Sequence, residues 1–423
     1  MSLSSPISSG SPDRSCSPLI EKLKHQCARC GSCTVVCPVF RVTGRETLVA
    51  RGKLHLLASE LSQDPSEHFQ DIFAQCLLCG ACEENCSRQL PIRDQIVEAR
   101  SSFSALYGKH PLQRVLAREI LSRPSLLEGL IKAGLSLSRL SLLPEESGLR
   151  IKLGLLEKKQ VPQSVDRETR ETDSTPDSDG ISYFSGCVAR YLQPSIGEAT
   201  TSLAQTLTGM PLQEPDLQRC CGLAAWSAGK VDEARKLAKR NIETFAGVSG
   251  QILTSCASCS AHLQKYPSLF EGDPEWQERA TQFSDRVKEL TSFVADNMLG
   301  RKLSAESPAR VYYHEPCHLR FDKECQGVAG QLIETIDNVE LVNANEGSQC
   351  CGQGGLFHLG YPELSDAIFS QGYDKYNWAD VDVATTSCSG CLMQWQAELA
   401  RRHCHTKVMH IALWLKSHMK IKG

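Results

Sequence analysis

The chain has 423 residues, 41% of them hydrophobic, with a net charge of -3 and 21 cysteines. That length accommodates two or three domains with separate cores, and the near-neutral charge gives no basic surface for nucleic acid and no acidic tail for a cationic partner. No run of 18 apolar residues offers a membrane span, and the N-terminal twenty residues have neither an apolar core nor twin arginines. The expectation is therefore a cytoplasmic protein in a reducing environment, where abundant cysteine points to metal ligation rather than disulfides.

Residues 1–18, rich in Ser and Pro, are expected to form a disordered tail. A module follows over 19–108, marked by two cysteine runs: Cys27, Cys30, Cys33 and Cys37 followed by Pro38, then Cys76, Cys79, Cys82 and Cys86. Three cysteines at intervals of three wrap one face of a 4Fe-4S cubane, and the fourth of each run ligates the other cluster. The expected ligand sets are crossed: Cys27, Cys30, Cys33 and Cys86 for one cluster, Cys76, Cys79, Cys82 and Cys37 for the other. Zinc ribbons instead use C-x2-C pairs separated by a loop. The runs are expected in loops, with helices over 51–63 and 91–108.

Residues 109–156 carry apolar residues at helical spacing, and within them 125–144 reads as a packed helix in preference to a membrane-surface anchor. The polar stretch 157–180 is expected to be a linker. Beyond it the chain repeats. Cys187, Cys220, Cys221, Gly222, Cys256 and Cys259 are matched by Cys317, Cys350, Cys351, Gly352, Cys388 and Cys391, four at an offset of 130 and two at 132. This divides the remainder into 181–300 and 301–423.

In each copy a short strand ends in the first cysteine, a helix follows the CCG, and a second strand leads into C-x2-C and a helix. This order predicts two related α/β subdomains with largely parallel sheets, their ligands gathered at the carboxyl ends of strands. The fold class is thus a multi-domain α+β chain, a helical two-cluster module followed by two tandem α/β subdomains.

Each C...CC-G...C-x2-C set offers five thiolates, one more than a cubane uses, and neighbouring cysteines suit different irons of an opened cluster better than one tetrahedral zinc. Gly222 and Gly352 fit a turn that needs positive φ or tolerates no side chain. Arg190 and Arg320, each three residues after the first cysteine, either offset thiolate charge or sit in surface ion pairs. His314 and His318 flank Cys317; the favoured expectation is a histidine satisfied by a backbone carbonyl, with iron ligation or proton shuttling as the alternative. Gly352 to Gly355 lacks the Walker lysine, and no dinucleotide fingerprint follows a strand. Cys16, Cys325 and Cys404 match nothing in the repeat and are expected as free thiols.

The strings CARCGSCTVVCPVFRVTG, RGKLHLLASEL, CLLCGACEENC, GCVARYLQPS, CCGLAAWSAG, YHEPCHLR, CCGQGGLF and HIALWL carry a resemblance that runs from about residue 20 to the C-terminus. The chain resembles the iron-sulfur subunits of glycolate oxidase, and the related subunits of D-lactate dehydrogenases and anaerobic glycerol-3-phosphate dehydrogenase. Its repeated half is also similar to the CCG-containing component of heterodisulfide reductase, in which each complete five-cysteine set holds a noncubane 4Fe-4S cluster. Glycolate oxidase iron-sulfur proteins often have thinner sets, so two complete sets here favour one or two further noncubane clusters over zinc. The resemblance implies an electron carrier between an FAD-containing dehydrogenase subunit acting on a 2-hydroxy acid and a quinone or other acceptor, reached peripherally at the inner face of the cytoplasmic membrane. The alternatives are a thiol-disulfide oxidoreductase working at the CCG sites and a zinc-binding scaffold.

Overall fold

The computed structural model describes residues 27–102, 180–298, 304–343 and 349–418. The tail, the segment 109–156 expected to be helical, Cys16 and all but the last residue of 157–180 lie outside them. The first of these stretches is helical. Helices Pro38–Thr43, Ala50–Leu57, Glu67–Ala74 and Ile92–Ser102 bury Val39, Leu54, Phe73 and Ile96 in a common core. The helix expected over 51–63 divides into Ala50–Leu57 and a single 3-10 turn, Glu60–Ser62. The cysteine runs are not wholly loops. Cys33 lies in the helix Ser32–Val36 and Cys82 in Ala81–Glu84, because each C-x2-C-G-x-C run turns at a left-handed glycine that starts a short helix.

The repeated half forms two four-stranded sheets of identical topology. The first contains β1 (Ile181–Phe184), β2 (Leu212–Gln213), β3 (Gln251–Thr254) and β4 (Val287–Glu289), in the order β2-β1-β3-β4. The second contains β5 (Ser304–His314), β6 (Asp337–Leu341), β7 (Val383–Thr386) and β8 (Lys407–His410), in the order β6-β5-β7-β8. Every pairing is parallel, as expected where helices connect successive strands. In each sheet the order reverses between the two central strands, and a crevice opens there at their carboxyl ends. Cys187 and Cys256 follow β1 and β3; Cys317 and Cys388 follow β5 and β7.

Helices of the two subdomains share a core, in which Ile196, Leu203 and Leu207 of Pro194–Thr208 meet Trp414 and Leu415 of Ile411–His418. The two crevices face one another, and the Ala257 amide donates to the Ser387 carbonyl at 2.9 Å. Tyr183 and Tyr313 make matching hydroxyl contacts of 2.8 Å with Ser255 and Ser387, which shows the duplication in the buried polar groups too.

Arg100 fastens the helical module to the first subdomain. Its buried guanidinium donates to the carbonyls of Phe73 (2.8 Å), Ala74 (3.2 Å) and Cys76 (2.7 Å), and across the junction to Ser227 (2.6 Å). Replacing a multiply bonded buried donor strands its acceptors, a cost of ~1–3 kcal/mol per group. Arg100→Met is therefore expected to lower the unfolding free energy of the full chain by roughly 2–4 kcal/mol, measured by chemical denaturation.

Candidate metal centres

The strand ends and CCG turns bring each five-cysteine set together. In the first subdomain Cys220 shares hydrogen bonds with Cys187 and Cys221, Cys221 with Cys259, and Cys256 with Cys259. In the second, Cys351 lies 3.4 Å from Cys391, and both Cys317 and Cys350 feel the charge of Cys351. Among the described residues every cysteine is free of disulfide. Both CCG glycines are required by geometry. Gly222 has φ +94 and faces the His262 ring, and Gly352 has φ +76 with its Cβ position 2.4 Å from the Ser365 carbonyl.

The two sets adjoin. Cys256 of the first set hydrogen bonds Cys388 of the second, and Ser258, between the first pair of C-x2-C cysteines, reaches Cys388 Sγ at 3.0 Å and His318 Nδ1 at 3.1 Å. His318 thus meets a hydroxyl from the other subdomain, not the backbone carbonyl expected. His314 lies within 4.8 Å of the sulfurs of both Cys351 and Cys391. The two arginines differ. Arg320 pairs weakly with Glu315 at 4.0 Å and its charge eases ionisation of Cys317 and Cys350, whereas Arg190 donates to the Asp216 carbonyl at 2.9 Å.

In the helical module Cys37, Cys76, Cys79 and Cys82 line one cavity, where the charge of Cys76 acts on Cys37 and the charges of Cys37 and Cys76 act on Cys79 and Cys82. Cys27 lies near Cys33, and Cys30 reaches Ser32 and Ser87, the latter adjoining Cys86. Lys53 is a site residue that sequence reasoning passed over. It is 1% exposed beside Cys76, Cys37 and Cys82, with its ammonium donating to the Leu48 carbonyl; burial pushes its pKa down and those thiols push it back up. Only its place inside RGKLHLLASEL marked it.

The module and the second subdomain meet at sulfur. Cys79 and Cys350, and Cys79 and Cys317, are close enough for each thiolate to disfavour the other. All three line a cleft of about 410 Å³ that also presents Arg41, Arg320 and Gln349. Arg41 closes part of its wall by donating to Gln349 Oε1 at 2.8 Å.

The thiols indicate what the sites can hold. Burial pushes Cys79, Cys82, Cys317 and Cys350 well above the ordinary thiol value of 9.0, and a hydrogen bond to Cys256 followed by burial raises Cys388 to about 12. Cys220, Cys256 and Cys351 are instead held low by S–H donors from their neighbours. Each set thus shares a little negative charge among several sulfurs, and full ionisation needs a cationic group among them. A metal or iron-sulfur group supplies that charge and couples its binding to folding, so the donor sets fit one.

Without metal, the raised thiols stay protonated when folded and ionise when unfolded. The unfolded state then binds fewer protons above pH 9.0, and stability falls as pH rises. The melting temperature of metal-free chain should drop between pH 8 and 10 by several degrees more than that of metal-loaded chain, by ~4 °C or more; equal slopes would contradict the crowding described.

Comparison with known proteins agrees with this organisation. A 4Fe-4S dicluster domain model matches residues 24–90, and a CCG cysteine-rich domain model matches 181–264 and 311–396. The chain is 28% identical over 412 residues to a probable glycolate oxidase iron-sulfur subunit of Bacillus subtilis, covering 92% of this chain and 91% of that one. It is 31% identical over 237 residues to lactate utilization protein A of a Geobacillus species, covering 56% of this chain and 99% of that one. A hypothetical protein from Helicobacter pylori superposes with a TM-score of 0.49 at 9% identity, covering 88% of this chain and 68% of its own.

Proposed function

Because the chain belongs to the glycolate oxidase iron-sulfur subunit and lactate utilization protein A family, we propose that it is the electron-carrying subunit of a 2-hydroxy-acid dehydrogenase complex. An FAD-containing partner oxidises glycolate or D-lactate, and this chain passes the electrons to a quinone or another acceptor. The chain has no flavin or nicotinamide fingerprint of its own, and hydride removal from an alcohol carbon belongs to such cofactors.

One observation carries the reading: the sulfur sets are contiguous. Cys79 lines one cleft with Cys317 and Cys350, and Cys388 adjoins Cys256, so the sites stand in series. The crossed sets Cys27, Cys30, Cys33, Cys86 and Cys37, Cys76, Cys79, Cys82 hold two 4Fe-4S clusters; the grouping of Cys37 with the second run supports this crossing. Cys187, Cys220, Cys221, Cys256, Cys259 and Cys317, Cys350, Cys351, Cys388, Cys391 hold one or two further clusters. These groups, when bound, take up and release single electrons. The chain's own part is to desolvate them, to orient the thiolates from glycine-started turns, and to place compensating charge from Lys53 and Arg320.

No helix among the described residues is long and apolar enough to cross a membrane, which suits an acceptor met at a surface. The cleft at Cys317 and Cys350 favours one second reading, reduction of a small disulfide there; reduced chain would then cleave a disulfide without any partner.

Reconstitution tests the first reading. Anaerobic chain mixed with its flavoprotein and glycolate or D-lactate should bleach in the visible iron-sulfur band, whereas chain and substrate alone should not; bleaching without the flavoprotein contradicts it. Cys37→Ser should perturb the cluster of the second run and leave that of the first. Lys53→Met removes a buried positive charge and should lower the potential of the same cluster on the order of 60 mV, the one-electron equivalent of ~1.4 kcal/mol, as read by redox titration.

A further inference from the structure

The repeat relates the two cysteine sets sulfur by sulfur, but their surroundings are not equivalent. At the end of β5 stands His314, three residues before Cys317; the corresponding position at the end of β1, three residues before Cys187, is Phe184. The registers agree, since Phe184 pairs with Thr254 and His314 with Thr386. An imidazole in one crevice thus replaces a phenyl ring in the other.

His314 is 2% exposed. Thr386 Oγ1 donates to its backbone carbonyl at 2.8 Å, and the Trp395 ring packs 5.6 Å from its imidazole. Its nitrogen, Cys351 Sγ and Cys391 Sγ all lie within 4.8 Å of one another, and the two sulfurs are 3.4 Å apart. Three donors on one tetrahedral ion stand roughly 3.5–3.8 Å from each other, given bonds of ~2.3 Å to sulfur and ~2.0 Å to nitrogen. The observed triangle therefore needs little adjustment to close on a single ion. Thiolate and imidazole together suit zinc and iron, not the hard cations that prefer oxygen.

We propose that His314 is a metal ligand of the second CCG site, acting with Cys351 and Cys391 to make it a mixed thiolate-imidazole centre; among the described residues no such group of donors forms at the first site, where His262 stands beside Gly222 and Cys220. The proposal rests on the reading that the CCG sites hold metal. Its consequence is an electronic difference between adjoining sites. A neutral imidazole in place of an anionic thiolate leaves a centre less negative and raises its reduction potential, as in clusters where histidines replace cysteines.

The test uses full-length chain isolated anaerobically, with metal content determined first. If the second site holds an iron cluster, pulsed EPR on chain containing 15N-labelled histidine should show strong coupling to a directly bound imidazole nitrogen. If it holds zinc, X-ray absorption at the zinc edge should show one imidazole per chain. In both cases the signal should disappear in His314→Phe, which installs the side chain the first repeat carries at this position, and persist in His318→Gln. The isotope shift in the wild-type chain carries the test even if His314→Phe fails to accumulate. Metal in the second site without a histidine nitrogen, or a nitrogen signal lost in His318→Gln instead, overturns the proposal. A chain with about eight irons and no other metal also overturns it, and with it the metal-bound CCG sites, but leaves the two-cluster carrier standing.

Discussion

Crowding of buried sulfur is the constraint on which the rest of the structure depends. The buried thiols of the two CCG sets share hydrogen bonds among sulfurs that cannot all ionise together. Taking a charge out of water is costly unless it is paired, and proteins seldom gather so many desolvated acids without a cation to meet them. The surrounding fold answers to that requirement: glycines with positive φ bring backbone close to the sulfurs, Arg320 sits against the second set as Lys53 does against the cysteines of the helical module, and buried tyrosines and serines brace the loops behind.

Duplication explains how the sites come to be in series. A parallel sheet with a topological switch point delivers two strand ends to one crevice, and two such sheets joined through a shared core set their crevices face to face. The helical module then needs only one cysteine, Cys79, at the outer side of the second crevice to extend the row. Duplication also leaves room for divergence. Ser258 corresponds to Gly390 and His318 to Val188, so the hydroxyl and imidazole at the junction belong to one member of each pair alone.

The cysteine runs, the 130-residue repeat and the parallel subdomains were legible in the sequence because ligand spacing and strand-helix alternation are local signals. Gly222 and Gly352 were legible for the same reason. What escaped depends on contacts between distant segments. Nothing local marks Lys53 as buried against Cys37 and Cys76, Arg100 as a clasp on the last carbonyls of one helix, the Cys76 carbonyl beyond it and one carbonyl of another subdomain, or Ser258 as the partner of Cys388. His318 was misjudged on that account: a carbonyl is the commonest partner near in sequence, whereas its Nδ1 meets Ser258, sixty residues away, and the neighbouring Cys317 sulfur. Arg190 and Arg320 share one spacing, yet Arg320 acts on Cys317 and Cys350 while Arg190 donates to the Asp216 carbonyl, a difference that spacing does not carry.

The central claim is that this chain is an iron-sulfur electron carrier whose sites exceed the two clusters of its helical module. Quantifying iron, acid-labile sulfide and zinc in anaerobically isolated full-length chain tests it most directly. The account predicts more than about eight irons per chain, with matching sulfide, and a low-temperature EPR spectrum of interacting reduced clusters. Zinc in the CCG sites with about eight irons or fewer would contradict it.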